Sequence, residues 1–287
     1  MNYIFNSVTN AAIGRYLTKP GHALLLVGPA GIGKGTVARY IAGNLLDVSS
    51  EDLQNHPYVR IVRAATGKSI TINQVRDIIG FLALRTTNKG GVGRVVIIDD
   101  AHTMTLQAQN ALLKAVEEPP DGTVMVLTTQ SERSILPTIR SRVQKLQLAT
   151  PELDDIRNYF VNLGYSSSEI DKALMISGGL PGLMTTLLES DANSPLFAAT
   201  TAARDILQKG MFERLIIADD IAKHHQHWLE VLFIIGQMAN TALMQGRGGS
   251  DAQRRWHKIL AAIHVAERNT SANGQIKLVV LNFMLSL

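Results

Sequence analysis

The chain of 287 residues contains no cysteine. That removes disulfides, thiolate nucleophiles and cysteine-held zinc, and it points to a reducing compartment. There is no strong charge bias either. The formal net charge is +4, compatible with a local nucleic-acid face but not announcing one. The opening stretch MNYIFNSVTNAAIGRYLTKP has no basic region leading into a long apolar core, so no secretory signal is expected. The most apolar late stretch, WLEVLFIIGQMANTALM, is interrupted by Glu230, Gln237 and Asn240 and reads as a buried helix, not a membrane span. No internal repeat or low-complexity tract is present. A cytoplasmic location is the expectation. With 46% hydrophobic and 18% charged residues, the chain is globular, with room for one large domain and one or two small ones.

The first half alternates strand-like and helix-like segments. Short aliphatic or β-branched runs fall at 23–27, 58–63, 94–98, 123–128 and 143–148. Helical patterns at 33–46, 72–85 and 106–117 lie between them. Such alternation predicts an α/β domain with a parallel sheet and helices on both faces, over residues 1–150. Past LATPEL the strand signals stop. Thr150 is the expected N-cap and Pro151 the first helical residue of a helix over 151–163. Leu153, Ile156, Tyr159, Phe160 and Leu163 fall on its core-facing stripe. Helices at 167–177 and 181–189 complete a small helical domain over 151–190. After the polar break SDANSP, an all-helical domain runs over 195–287.

The stretch ALLLVGPAGIGKGTVARYIAG sets a glycine-rich turn between a strand and a helix. Gly28, Gly33 and Lys34 fit the phosphate-loop spacing, and Gly31 and the following Gly35 and Thr36 join them as candidate binding residues. Glycines let backbone N–H groups face phosphates, the helix N-terminus adds positive potential, and Lys34 reaches the β and γ oxygens. A ligand-free glycine turn is the competing reading. Gly35 stands where such loops carry the Ser or Thr that ligates Mg²⁺, and Thr36 points about 100° away around the helix. Loops similar to those of adenylate kinases share GKGT, so the loop alone leaves Mg²⁺ open.

RVVIIDDAHTMTLQAQNALLKAVEEPP brings Asp99 and Asp100 to the C-terminal end of a strand, where open α/β sheets bind ligands. Asp99 is suited to orient Mg²⁺ and Asp100 to polarise a water; an ordinary Asp-rich turn is the alternative. This run resembles the clamp-loader branch of the AAA+ ATPases, down to its NALLK and EEPP. The segment HPYVRIVRAATGKSITINQVRDIIGFLALR is most like the delta-prime subunits of bacterial DNA polymerase III. The likeness is strong over roughly residues 1–185, and NGQIKLVVLNFML is similar to the family's terminal collar helix.

That resemblance implies a P-loop AAA+ domain, a helical lid and a helical collar that joins a hetero-oligomeric ring. It implies ATP with Mg²⁺ as cofactors, and other loader subunits, the sliding clamp and primer-template DNA as partners. Lys34 takes the phosphate-binding position and Asp99 the Walker-B position, while Asp100 stands where active loaders carry Glu. Thr129 matches the sensor that feels the γ-phosphate. In TIRSRV, Arg142 matches the arginine finger offered to a neighbouring subunit, with Val143 in place of the usual Cys. A plain surface arginine is the alternative without the family match.

Some positions depart from the pattern. Pro181 replaces the expected sensor-2 arginine and has no charge to give a phosphate. DVSSEDLQNHP lacks the four-cysteine module of many relatives, so no zinc site is expected. Gly35, Asp100 and Pro181 all weaken hydrolysis in cis, while the group acting in trans is intact. The expectation is therefore a stator that binds nucleotide better than it hydrolyses it. A motor subunit, a nucleoside-phosphate kinase and an interaction-only protein are the alternatives. Lys68, Arg76, Arg85, Lys89 and Lys114 are candidates for a DNA-facing surface against simple solvation. His224–His227 read as a solvated face, and Trp228 and Trp256 as core.

Overall fold

Continuous aliphatic runs suit strands covered on both faces, and here they build one parallel sheet. The computed structural model describes residues 3–49, 51–65, 69–84, 91–189, 195–244, 249–272 and 274–287. It divides into two units, Met1–Pro151 and Glu152–Leu287.

In chain order the first unit comprises α1 (Ser7–Thr18), β1 (Ala23–Val27), α2 (Lys34–Leu46), β2 (Val59–Val62), α3 (Ile72–Leu82), β3 (Arg94–Ile98), α4 (Leu106–Glu117), β4 (Thr123–Thr129), α5 (Pro137–Arg140) and β5 (Gln144–Gln147). The strand order is β2-β3-β4-β1-β5, and every pairing is parallel. This order sets the C-terminal ends of β3, β4 and β1 side by side. All residues of those three strands are buried. On one face, Leu25, Val96, Ile98 and Leu127 meet Ile78 and Phe81 of α3 and Leu112 of α4. Val37, Ala38 and Ile41 give α2 its buried stripe. The apolar periodicity thus closes a core beneath the loops that follow the strands.

Local chemistry sets the ends. Thr71 and Gln74 form a capping box that starts α3, and Thr105 caps α4 by accepting from Ala108 N at 3.2 Å. α3 ends at Leu82, short of the expected limit at Arg85, which lies outside the described residues.

The second unit is helical: α6 (Leu153–Asn162), α7 (Ser167–Ser177), α8 (Pro181–Glu189), α9 (Pro195–Gln208), α10 (Met211–Ile221), α11 (His225–Met244), α12 (Ser250–Ser271) and α13 (Ile276–Ser286). The expected start of α6 is corrected. Its N-cap is Glu152, not Thr150, and Pro151 lies before the helix. The Thr150 carbonyl instead accepts from Asn6 Nδ2 at 2.9 Å, and Asp154 and Asp155 supply first-turn negative charge. The stripe of α6 is also narrower than expected. Ile156 and Phe160 are buried, whereas Leu153 and Leu163 are exposed.

Gly178 ends α7 with φ 62°, and a Cβ there would lie 2.9 Å from Thr241 Oγ1, so the turn into Pro181 requires glycine. Trp228 is fully buried, donates to Thr270 Oγ1 at 3.2 Å and meets the Phe283 ring edge-on. Trp256 is half-buried. Among the described residues, no helix is long and apolar enough to cross a membrane.

Candidate functional site

The loop after β1 is shaped by its glycines. Gly31 and Gly33 have φ of 79° and 94°, left-handed values that disfavour any side chain. A Cβ on Gly28 would stand 3.1 Å from Ile32 Cγ2 and 3.3 Å from Leu148 Cβ. Lys34 opens α2, is buried, and its Nζ donates to the Pro29 carbonyl at 3.0 Å. The ammonium is thereby held over the loop. Burial lowers its pKa below the ordinary lysine value, opposed by the carboxylates of Asp100 and Asp99. Thr36 is exposed on α2.

The two aspartates end β3 differently. Asp99 Oδ1 accepts a hydrogen bond from Thr128 Oγ1 at 2.8 Å. The same hydroxyl oxygen accepts from Asp100 N at 2.8 Å. One buried threonine thus ties both residues to β4. Asp100 itself takes a left-handed φ of 52° and starts a 3₁₀ turn, which leaves its carboxylate about half exposed. His102 Nδ1 lies 3.8 Å from Asp100 Oδ1. Burial lowers the His102 pKa; Asp100 raises it, Lys34 lowers it and Asp99 raises it. A neutral imidazole beside the aspartates follows.

Thr129 is equally buried but turned elsewhere. Its Oγ1 donates to the Ser131 carbonyl at 2.9 Å and lies 3.3 Å from Ser134 Oγ. Successive side chains of a strand point to opposite faces, so only one of the two adjacent threonines reaches Asp99. Sequence reasoning named Thr129 and missed Thr128. Alternation along β4 allows only one of the two to face Asp99, and the packing of β4 beside β3 decides which.

Arg142 sits in the turn between α5 and β5. Its Nε donates to Glu117 Oε1 at 3.0 Å, and its Nη1 to Thr138 O at 3.0 Å and Ser141 Oγ at 3.1 Å. Its side chain stays 42% exposed. None of these contacts involves Lys34, Asp99 or Asp100. The structure therefore gathers Gly28, Gly31, Gly33, Lys34, Gly35, Asp99 and Asp100 at one end of the sheet, and presents Arg142 separately on the surface.

A polyphosphate fits this loop: backbone N–H groups, a helix N-terminus and a lysine converge on it. A divalent ion ligated by a loop hydroxyl at position 35 does not fit. Gly35 offers no hydroxyl, and a Cβ built there would lie 3.1 Å from both Asp99 Oδ2 and Arg39 Nη1. The place of the expected metal ligand is thus flanked by a carboxylate and a fixed cation. Of the candidate basic surface, Arg76 and Lys114 are exposed, whereas Lys68, Arg85 and Lys89 lie outside the described residues. Among the described residues, no group of three or more His, Asp or Glu is placed to hold a metal.

Sheet and loop together define an AAA+ P-loop domain followed by a helical region. A family model described as DNA polymerase III, delta subunit, matches residues 16–152. The delta-prime subunit of DNA polymerase III from Pseudomonas aeruginosa is 33% identical over 177 residues, covering 56% of this chain and 53% of that protein. The delta-prime subunit from Yersinia pestis is 30% identical, covering 63% and 55%. The gamma subunit from Buchnera aphidicola is 29% identical, covering 56% and 46%. These matches span about half the length of the relatives. A gamma subunit-related protein of DNA polymerase III from Thermotoga maritima shares the fold, with a TM-score of 0.53 at 18% identity over 97% of this chain and 98% of that one. Over roughly its first half, the chain is similar in sequence to clamp-loader subunits of DNA polymerase III, delta-prime subunits among them.

Proposed function

We propose that this chain is a delta-prime-like clamp-loader stator acting in DNA replication. It binds ATP in the loop of Gly28, Gly31, Gly33, Lys34, Gly35 and Thr36 with little turnover of its own, and offers Arg142 to the nucleotide of a neighbouring motor subunit. The observation that carries this reading is the contrast between two charged sites. In cis, the loop holds a buried lysine but lacks the hydroxyl at Gly35. In trans, an exposed arginine is anchored by its own backbone turn through Thr138 O and paired with Glu117; exchange of that carboxylate frees its fork to donate to phosphate.

Sensing of the γ-phosphate falls to Thr129 only if its hydroxyl leaves Ser131; Thr128 orders Asp99 directly. The ring of loader subunits, the sliding clamp, primer-template DNA and a cytoplasmic setting belong to the same proposal. A second reading, a motor subunit that hydrolyses ATP, is favoured by the gamma-subunit relatives and by Asp99 and Asp100 standing near Lys34. The test is reconstitution with a motor subunit of the same organism, wild-type against Arg142→Ala. DNA-stimulated ATPase falls with the variant if the stator reading is correct, and is unchanged if it is wrong. Turnover by the isolated chain, abolished by Lys34→Ala, supports the motor reading instead.

A further inference from the structure

Arg39 is the unassigned cation of the nucleotide loop. It lies one helical turn beyond Gly35, and long helical side chains lean back toward the N-terminus of their helix. The residue at i−4 is therefore the one its head group covers, and here that residue has no side chain. Arg39 Nη1 stands 3.1 Å from where a Gly35 Cβ would be, and Asp99 Oδ2 stands 3.1 Å from the same point. The guanidinium and the Walker-type carboxylate thus face each other across bare backbone.

Arg39 makes no hydrogen bond or ion pair among the described residues, although its side chain is half-buried. Among the described residues its donors stay free beside the loop, with the Lys34 ammonium held nearby over the Pro29 carbonyl. A glycine in a helix loses more conformational freedom than an alanine. At this position the cost secures space for a permanent positive charge where P-loop proteins place a hydroxyl and a divalent ion.

We propose that Arg39 pairs with the phosphates of a bound nucleoside triphosphate, so that this chain binds nucleotide without a divalent metal. Arginine suits the task, because its planar fork donates two bonds to a phosphate and never loses its charge. A fixed guanidinium holds phosphate but does not supply a polarised metal-bound water, which matches a site that retains nucleotide and turns it over poorly. The inference rests on the reading that the loop binds nucleotide at all.

Titration calorimetry of the full chain with ATP, in excess Mg²⁺ and in excess EDTA, tests it. Wild-type protein binds with about the same affinity in both conditions. Arg39→Gln binds about ten- to a hundredfold more weakly in EDTA, as expected for removing a charged hydrogen-bond partner. Gly35→Ser crowds the guanidinium away and restores a hydroxyl, so its affinity becomes Mg²⁺-dependent. Thermal melting without nucleotide verifies that each variant is folded. Wild-type binding that requires Mg²⁺ and is untouched by Arg39→Gln overturns the inference while leaving the nucleotide reading intact. No binding in either condition by a cooperatively melting wild-type chain overturns the nucleotide reading itself.

Discussion

Arg142 Nε donates to Glu117 Oε1 at 3.0 Å, which joins the turn before β5 to the last residue of α4. The carboxylate comes from the AVEEPP run, whose glutamates have no chemistry when read as sequence alone. Both side chains are more than 40% exposed, so the pair contributes only about 0–1 kcal/mol. Its significance is competition, because Glu117 occupies the guanidinium that a neighbour's phosphates would take.

Glu117→Ala therefore changes thermal stability by less than about 1 kcal/mol. In the reconstituted complex it leaves turnover at the site facing Arg142 unreduced, since Thr138 O still positions the guanidinium. Arg142→Ala and Arg142→Lys both lower that turnover, by about 10³-fold if the finger carries its usual share. Lysine fails because a point charge does not reproduce the bidentate fork. Single-turnover hydrolysis beside a thermal melt of each variant separates the outcomes.

Lys34 sets a pH dependence. Burial holds its folded-state pKa below the ordinary 10.5, so the unfolded chain keeps the proton more tightly. Stability of the nucleotide-free protein therefore rises with pH between the depressed folded value and 10.5. Bound phosphates favour the ammonium, so binding takes up a proton in this window and weakens as pH climbs through it. Calorimetry in buffers of different ionisation enthalpy measures that uptake. Lys34→Met removes the buried charge, flattens the stability profile and raises the midpoint of unfolding, while abolishing ATP binding. Each kcal/mol gained shifts the midpoint by about 2–4 °C.

The α/β half was legible because strands covered on both faces are uninterrupted apolar runs. β1 and β3 fall where their aliphatics do, and the phosphate loop is bounded by glycines whose φ values leave few alternatives. Side-chain partnerships across elements were not legible. Nothing local distinguishes Thr128 from Thr129, because the choice depends on which face of β4 meets Asp99. Arg39 reads as an ordinary helix-surface cation until its head group is seen over Gly35. The start of α6 was missed because Asn6, far off in the chain, binds the Thr150 carbonyl.

Arg94 joins β3 to α3. It is buried with no carboxylate partner among the described residues, and its guanidinium donates to Phe81 O at 2.8 Å, to Leu82 O at 2.5 Å and to Leu84 O. These carbonyls belong to the end of α3 and its exit, where helical partners run out. Arg94→Met takes this donor from Leu82 O and Leu84 O, leaves Phe81 O with its backbone partner Leu84 N, and costs about 3 kcal/mol or more in urea unfolding. Arg94→Lys does not rescue it, since one ammonium does not span three acceptors in a fixed fork. Recovery of wild-type stability by lysine would count against the capping role.

Thr128 is the hinge of the acidic site. Its hydroxyl donates to Asp99 Oδ1 and accepts from Asp100 N, both at 2.8 Å, inside a fully buried strand. Thr128→Val keeps the shape and removes both bonds, leaving the Asp100 amide without that acceptor and Asp99 free to rotate. Leaving one buried polar group unpaired costs about 1–3 kcal/mol, to be measured by urea denaturation. The released carboxylate turns toward Arg39 and Lys34, the cations nearest Gly35 and the loop, and neutralises the charge that phosphate needs. ATP affinity therefore drops with Thr128→Val and returns with Thr128→Ser, which restores the hydroxyl. Thr129→Val, which breaks only the local bonds to Ser131 and Ser134, lowers stability without the same loss of affinity. Equal loss of affinity from both valine variants would assign the effect to general disruption of β4.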